Sequence, residues 1–352
     1  MAQPKTNTPR ICPDLLEAVA EYLEPLHAAD LFKQWGGIAL LSAILTRKVW
    51  FQTNPVMPLL FPNLYILLCG LPGSGKDLII NVVRRLLALA MEGMEQGKGV
   101  YIGPESISTK GLIDELADEI AELAFSFKPR GGGKVRTVKY HSMFVANGEL
   151  GAFMPEYNTQ LVSIINDLYN CKESFTDRVR GRGAYSQVKI ENPHLVLLLG
   201  TQPALFAKIV PEEAFQMGFT ARLNIVNSRQ IVRKPIFAIN KGDPSLAGKI
   251  ASDLRVLAHL AGEYIPSKEF ISLMDDFHVN NPGAIDHSRF TDYNVRRSLH
   301  LGKLAIICAA SESNKLVLEA RHFHRALSFL KASEDSAPSL FDDLITSQGF
   351  HH

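Results

Sequence analysis

Residues 64–77 read LYILLCGLPGSGKD, and the order of these residues decides the fold. The first six are apolar throughout, as in a strand buried on both faces of a parallel sheet. Residues 70–77 then carry the spacing GxxxxGK, from Gly70 to Gly75 and Lys76. Glycines at these places let backbone N–H groups turn inward and surround phosphate oxygens. A helical pattern follows over residues 77–91, with its positive N-terminal end aimed at the same anion. Gly70, Leu71, Pro72, Gly73, Ser74, Gly75, Lys76 and Asp77 are therefore the candidate nucleotide-binding residues. Lys76 supplies a mobile charge for the β- and γ-phosphates of ATP. A glycine-rich surface turn shares the composition, but not the strand before it and the helix after it.

Asp77 stands where Ser or Thr normally ligates Mg²⁺ in such a loop. A carboxylate holds Mg²⁺ directly or through water, so Asp77 is the candidate metal ligand. The competing reading makes Asp77 only a favourable acid in the first helical turn. Beyond the loop, strand and helix signals alternate. Strands are expected at residues 100–102, 143–146, 195–199 and 223–226, with helices at 109–125 and near 157–169. The fold class predicted is α/β: a parallel sheet covered by helices, with ligands at the carboxyl ends of the strands.

Residues 141–151, HSMFVANGELG, supply an apolar strand and then Glu149, placed to orient or deprotonate an attacking water. Glu149 is the candidate catalytic base, with Glu156 as the nearby rival. The next strand ends in GTQP, residues 200–203, where Thr201 or Gln202 can sense a γ-phosphate or water by hydrogen bond. Arg222 closes the stretch EEAFQMGFTAR immediately before another apolar strand. It is read either as an ordinary surface ion pair or as a catalytic arginine.

Taken together, PNLYILLCGLPGSGKD (62–77), NPHLVLLLGTQPALF (192–206) and GFTARLNIV (218–226) resemble the AAA+ ATPases. More specifically they resemble helicase-like proteins of phages, plasmids and other mobile elements. The likeness covers roughly residues 60–330. It implies that Arg222 reaches the nucleotide of a neighbouring subunit in a homo-oligomeric ring, such as a hexamer. It also implies that YNVRRSLHLGKLAIICAAS (293–311) is a lid helix carrying a second sensor arginine, Arg296 ahead of Arg297. The Asp that usually precedes the catalytic acid is missing before Glu149, a departure from the wider pattern. The organisation expected is an N-terminal helical segment at 1–55, an AAA+ ATPase core at 56–235, a C-terminal helical lid at 236–335 and a tail at 336–352.

Two elements are basic. Residues 128–139, KPRGGGKVRTVK, hold five basic residues and no acid. Residues 175–190, FTDRVRGRGAYSQVKI, read as a hairpin turning at Gly181–Gly183. One AAA+ branch, including minichromosome-maintenance-like helicases, carries a hairpin at this place that grips a DNA backbone. Arg178, Arg180 and Arg182 are the candidate phosphate-tracking set. A solvated hairpin, or one docking a protein, is the other reading. The function expected is an ATP-driven helicase or translocase on single-stranded DNA, working in replication of a mobile element, with a replication initiator or primase as partner. The alternative is an AAA+ regulator that remodels or recruits a protein without unwinding DNA, and a small-molecule kinase is a distant third.

Bulk composition leaves these readings open. The formal net charge is +1, from 37 basic and 36 acidic residues, so only local clustering speaks to a nucleic-acid partner. The four cysteines form no CxxC pair, as expected of reduced cytosolic thiols. No zinc-type Cys/His spacing occurs, and no apolar run reaches the length of a membrane span. A cytoplasmic protein with no membrane partner is the expectation.

Overall fold

In the computed structural model the described residues are 9–54, 56–92, 94, 99–129, 132–154, 157–180, 185–215, 218–235 and 243–341. Helix α1 (Leu15–Leu23) starts at Asp14, whose side chain accepts from the Glu17 N–H. Helix α2 (Asp30–Leu45) follows. Gly36 and Gly37 lie inside α2, and the chain breaks between the two helices at residues 24–29. Gly36 serves packing: a Cβ there would come within 2.6 Å of Ile79 Cγ2.

After a short strand β1 (Val49–Trp50) come β2 (Tyr65–Gly70) and α3 (Lys76–Met91). Next are β3 (Tyr101–Ile102), α4 (Thr109–Ala117), β4 (Glu122–Phe127) and β5 (Arg136–Asn147). Short α5 (Leu150–Phe153) and α6 (Thr159–Tyr169) lead to β6 (Ser174–Arg180), β7 (Tyr185–Glu191) and β8 (Pro193–Thr201). Helix α7 (Pro203–Ile209) and β9 (Leu223–Ser228) close the sheet.

The main sheet runs β3-β5-β8-β2-β9, parallel at every step, with β4 added antiparallel to β5. The chain leaves β2 for the far side of the sheet and returns through β5 and β8 before crossing to β9. The order therefore reverses beside β2, the kind of crevice at which open α/β sheets bind ligands. Helices cover both faces. Tyr65 donates its hydroxyl to the Ile165 carbonyl of α6, at 2.8 Å. A Cβ on Gly70 would instead meet Phe32 of α2 at 3.0 Å. Five residues apart, these two positions lie on opposite faces of one strand.

Residues 109–125 carry a helical pattern, but α4 stops at Ala117 and Glu122–Phe127 is strand. Tertiary pairing overrides local periodicity here. Phe125 and Phe127 lie 6.2 and 4.9 Å from Trp50, ring to ring, and only the extended chain delivers both while pairing with β5. The basic stretch 128–139 thus forms the turn and return strand of a β4–β5 hairpin; residues 130 and 131 lie outside the described set.

The C-terminal part holds α8 (Leu246–Leu257), two short strands β10 (Gly262–Glu263) and β11 (Ile265–Pro266), α9 (Lys268–Asn280), α10 (Thr291–Glu312), β12 (Val317–Leu318) and α11 (Ala320–Ser336). Strand β10 pairs in parallel with β1 and β11 with β12. One continuous apolar core extends from Cys12 to Phe341, so the terminal helices share the core of the sheet. Among the described residues no helix is long and apolar enough to cross a membrane.

Candidate nucleotide site

The carboxyl edge of the sheet carries the phosphate loop. Gly73 and Gly75 adopt φ of 80° and 85°, left-handed values that disfavour any side chain. At Gly75 space forbids one as well, because a Cβ would lie 2.3 Å from the His27 carbonyl oxygen and 2.5 Å from Ala28. The link between α1 and α2 therefore rests directly on the loop. The Ala29 N–H donates to the Ser74 carbonyl at 3.3 Å. Sequence reasoning missed residues 27–29, since their contacts are made by backbone and a methyl group.

Two side chains of the loop lack a hydrogen-bond partner among the described residues. Nothing stands within 4 Å of a Cβ built on Gly73, so there is open space on that side of the loop. Among the described residues Ser74 Oγ is buried without a hydrogen-bond partner, a state that natural interiors rarely leave uncorrected. Lys76 is 3% exposed. Its Nζ lies 3.7 Å from Asp77 Oδ2, too far for a hydrogen bond.

The β5 end meets this loop. A Cβ on Gly148 would fall 2.3 Å from Asp77 Oδ1, so Gly148 lies against the Asp77 carboxylate. Glu149 follows, exposed, with its N–H donating to Asn147 Oδ1 at 2.7 Å. Asn147 is held in turn by the Glu105 carbonyl, and Arg84 of α3 donates to the Ala146 carbonyl at 2.9 Å. On the intervening strand a Cβ at Gly200 would come within 2.3 Å of the Gly148 carbonyl. Thr201 pairs across from Cys69 of β2 and its hydroxyl donates to the Gln202 carbonyl at 3.3 Å. The fold thus brings Lys76, Asp77, Glu149, Thr201 and Gln202 to one edge. Glu156 lies outside the described residues.

Arg222 is elsewhere. It immediately precedes Leu223, which pairs with Tyr65 at the start of β2, whereas the phosphate loop leaves the strand's other end. A strand of this length separates the two by about 20 Å. Arg222 is 8% exposed. Its Nη1 donates to the Gly218 carbonyl at 2.7 Å, and its guanidinium lies 5.9 Å from the centre of the Tyr169 ring. Burial, then the nearby Arg296 charge, lowers its pKa.

Arg296 lies at this same amino edge, in the wall of a cavity of about 240 Å³ that Asn63, Tyr169 and Lys303 also line. The neighbouring Arg297 is fully buried. Its Nε and Nη2 donate to the two Glu334 oxygens at 2.7 and 2.8 Å, and its Nη1 to Asn281 Oδ1 at 2.7 Å. It ties α10 to α11 and has no donor pointing toward the loop. Arg297→Ala is expected to cost about 3–5 kcal/mol, the penalty for stranding a buried partner charge. Thermal unfolding should show this as a large drop in Tm, with nucleotide affinity per folded molecule unchanged.

Strands β6 and β7 form the expected antiparallel hairpin, with Arg178 opposite Gln187 and Arg180 opposite Tyr185. Arg182 lies outside the described residues. Comparison with known proteins adds no relative: no protein-family model and no curated protein matches the chain.

Proposed function

We propose that this chain is an ATP-hydrolysing AAA+ motor that works as a homo-oligomeric ring, a helicase or translocase on single-stranded DNA. The observation that carries the reading is the approach of the β5 end to the phosphate loop, with Gly148 against Asp77 and Glu149 one residue on. Strand β8 separates β5 from β2, so this proximity is a product of the sheet order. Lys76 and the loop amides hold the β- and γ-phosphates. Asp77 fits a Mg²⁺ ion, which takes most of its ligands from phosphate and water. When bound, the ion would neutralise charge at the reacting phosphate. Glu149 accepts the proton of the attacking water as its oxygen adds to the γ-phosphorus and ADP departs. Arg222, remote from its own loop, completes the site of the next copy.

The DNA reading rests on the β6–β7 hairpin and its arginines. Their interactions with a strand would be ionic and insensitive to base sequence. The test is the ATPase rate with and without single-stranded DNA, with particle size measured alongside. Stimulation by DNA in an assembled particle is the expected result. Arg180→Ala with Arg182→Ala should remove that stimulation and leave basal hydrolysis intact. It should also shallow the salt dependence of binding by about 0.7 in log–log slope for each phosphate that is no longer neutralised. Absence of DNA binding and of DNA-stimulated hydrolysis in every nucleotide state would leave the protein-remodelling regulator as the function. A replication initiator or primase is the partner such a helicase would need for loading.

A further inference from the structure

The cavity of about 240 Å³ at the amino edge lies between the β1–β2 link, the end of α6 and α10. Its rim is apolar. Met57, Leu59 and Leu299 line it and are 48, 38 and 37% exposed. Leu60 and Phe61 continue the apolar wall inward. Polar groups close the inner end, where Asn63 and Lys303 are both buried. An apolar wall with a few convergent polar groups is the usual make-up of a small-molecule site.

The inner end is cationic. Lys303 donates to the Asn63 carbonyl and to Asn63 Oδ1, at 2.9 and 2.8 Å, and its ammonium lies 3.5 Å from the Tyr169 ring centre. Its third N–H has no oxygen acceptor among the described residues. Arg296, half-buried in the cavity wall, makes no hydrogen bond or ion pair among the described residues. The charged and titratable groups around Lys303 are Tyr169, Cys171, His194, Arg222, Arg296 and His300, and none of them is a carboxylate. Asp167, which acts on Arg222, is bound to Lys172 at 2.8 Å. Burial pushes the Lys303 pKa down to about 7 and holds His300 neutral, with a pKa of about 3. A buried cation without an acid beside it is costly until an anion completes it.

We propose that this cavity binds a small organic monocarboxylate, with its head on Lys303 and Arg296 and its apolar body against Leu59, Leu60, Phe61 and Leu299. Two cations match one anionic head, and a planar guanidinium suits a carboxylate. The volume is under the roughly 300 Å³ at which pockets for drug-sized ligands begin, so the body is short. The cationic inner end repels an amine or a metal ion. The apolar wall offers no partner to a ribose or to further phosphates, and the chain's own phosphate loop lies a full strand away, about 20 Å. The site therefore stands independently of the ATPase reading.

The test is a calorimetric titration of the full chain with the straight-chain carboxylates from acetate to decanoate, with octanol and octylamine as comparators. Affinity should rise about fourfold for each added methylene until the cavity is full. Octanoate should bind more tightly than octanol, octylamine should not bind, and octanoate should raise the Tm. Octanoate affinity should fall as pH rises from about 6 to about 9, because Lys303 loses its charge above a pKa of about 7 while the carboxylate stays ionised. Arg296→Gln strands no partner and should weaken octanoate binding about tenfold or more, with the pH dependence kept. Lys303→Met should weaken it further and remove the pH dependence; should that variant not fold, Arg296→Gln and the unmodified protein's pH profile decide. Any of three results would overturn the proposal: no saturable binding of any carboxylate in the millimolar range, equal binding of octanoate and octylamine, or octanoate affinity unchanged in Arg296→Gln.

Discussion

Lys76→Ala is expected to abolish nucleotide binding or reduce turnover by at least about 100-fold, the loss that follows removal of one preorganised donor in a dry site. Lys76 is nearly fully buried at the first residue of α3, and among the described residues its ammonium has no hydrogen bond. Its nearest carboxylate, Asp77, is over half exposed and 3.7 Å away, a pairing worth little on its own. On the proposed function, the ammonium meets an incoming oxyanion instead of serving the fold. Truncation should leave the melting temperature nearly unchanged while ATP affinity collapses. Calorimetric titration with ATP and a steady-state phosphate-release assay check both parts. Wild-type-like affinity and hydrolysis in Lys76→Ala would move the site away from the loop.

The strand–loop–helix around GxxxxGK is legible in sequence because all its determinants are local. Strand, glycines, lysine and helix follow one another within residues 64–91, and the structure keeps them so. The carboxyl-edge assembly is legible to the extent that parallel strands must end together, which brings Glu149, Thr201 and Gln202 to the loop. The amino edge is not. Asn63, Tyr169, Arg222, Arg296 and Lys303 span 240 positions, and no spacing rule connects them. Nor does the sequence distinguish two adjacent arginines on one helix. Successive residues point about 100° apart, and only the fold shows that Arg297 turns to Glu334 while Arg296 turns to the cavity. Residues 109–125 fail for a different reason. A short helical period and a strand pairing compete there, and the aromatic contacts to Trp50 settle the outcome.

Glu149→Gln is expected to separate binding from chemistry. The amide keeps the size and hydrogen-bonding reach of the carboxylate but cannot take a proton from water. General-base removal costs about 100- to 10,000-fold in rate. Glu149 is exposed, and its backbone is fixed by Asn147 Oδ1 and by α5, which starts at Leu150. Substitution therefore strands no buried partner and should leave stability unchanged. ATP affinity should hold or rise slightly, since one negative charge leaves the edge that receives the phosphates. Single-turnover hydrolysis beside an equilibrium binding titration measures the two quantities apart. A parallel fall in affinity and rate would make Glu149 a binding group. An unchanged rate would leave Glu156, outside the described residues, as the base, or Gln202 or Thr201 as a water-orienting group.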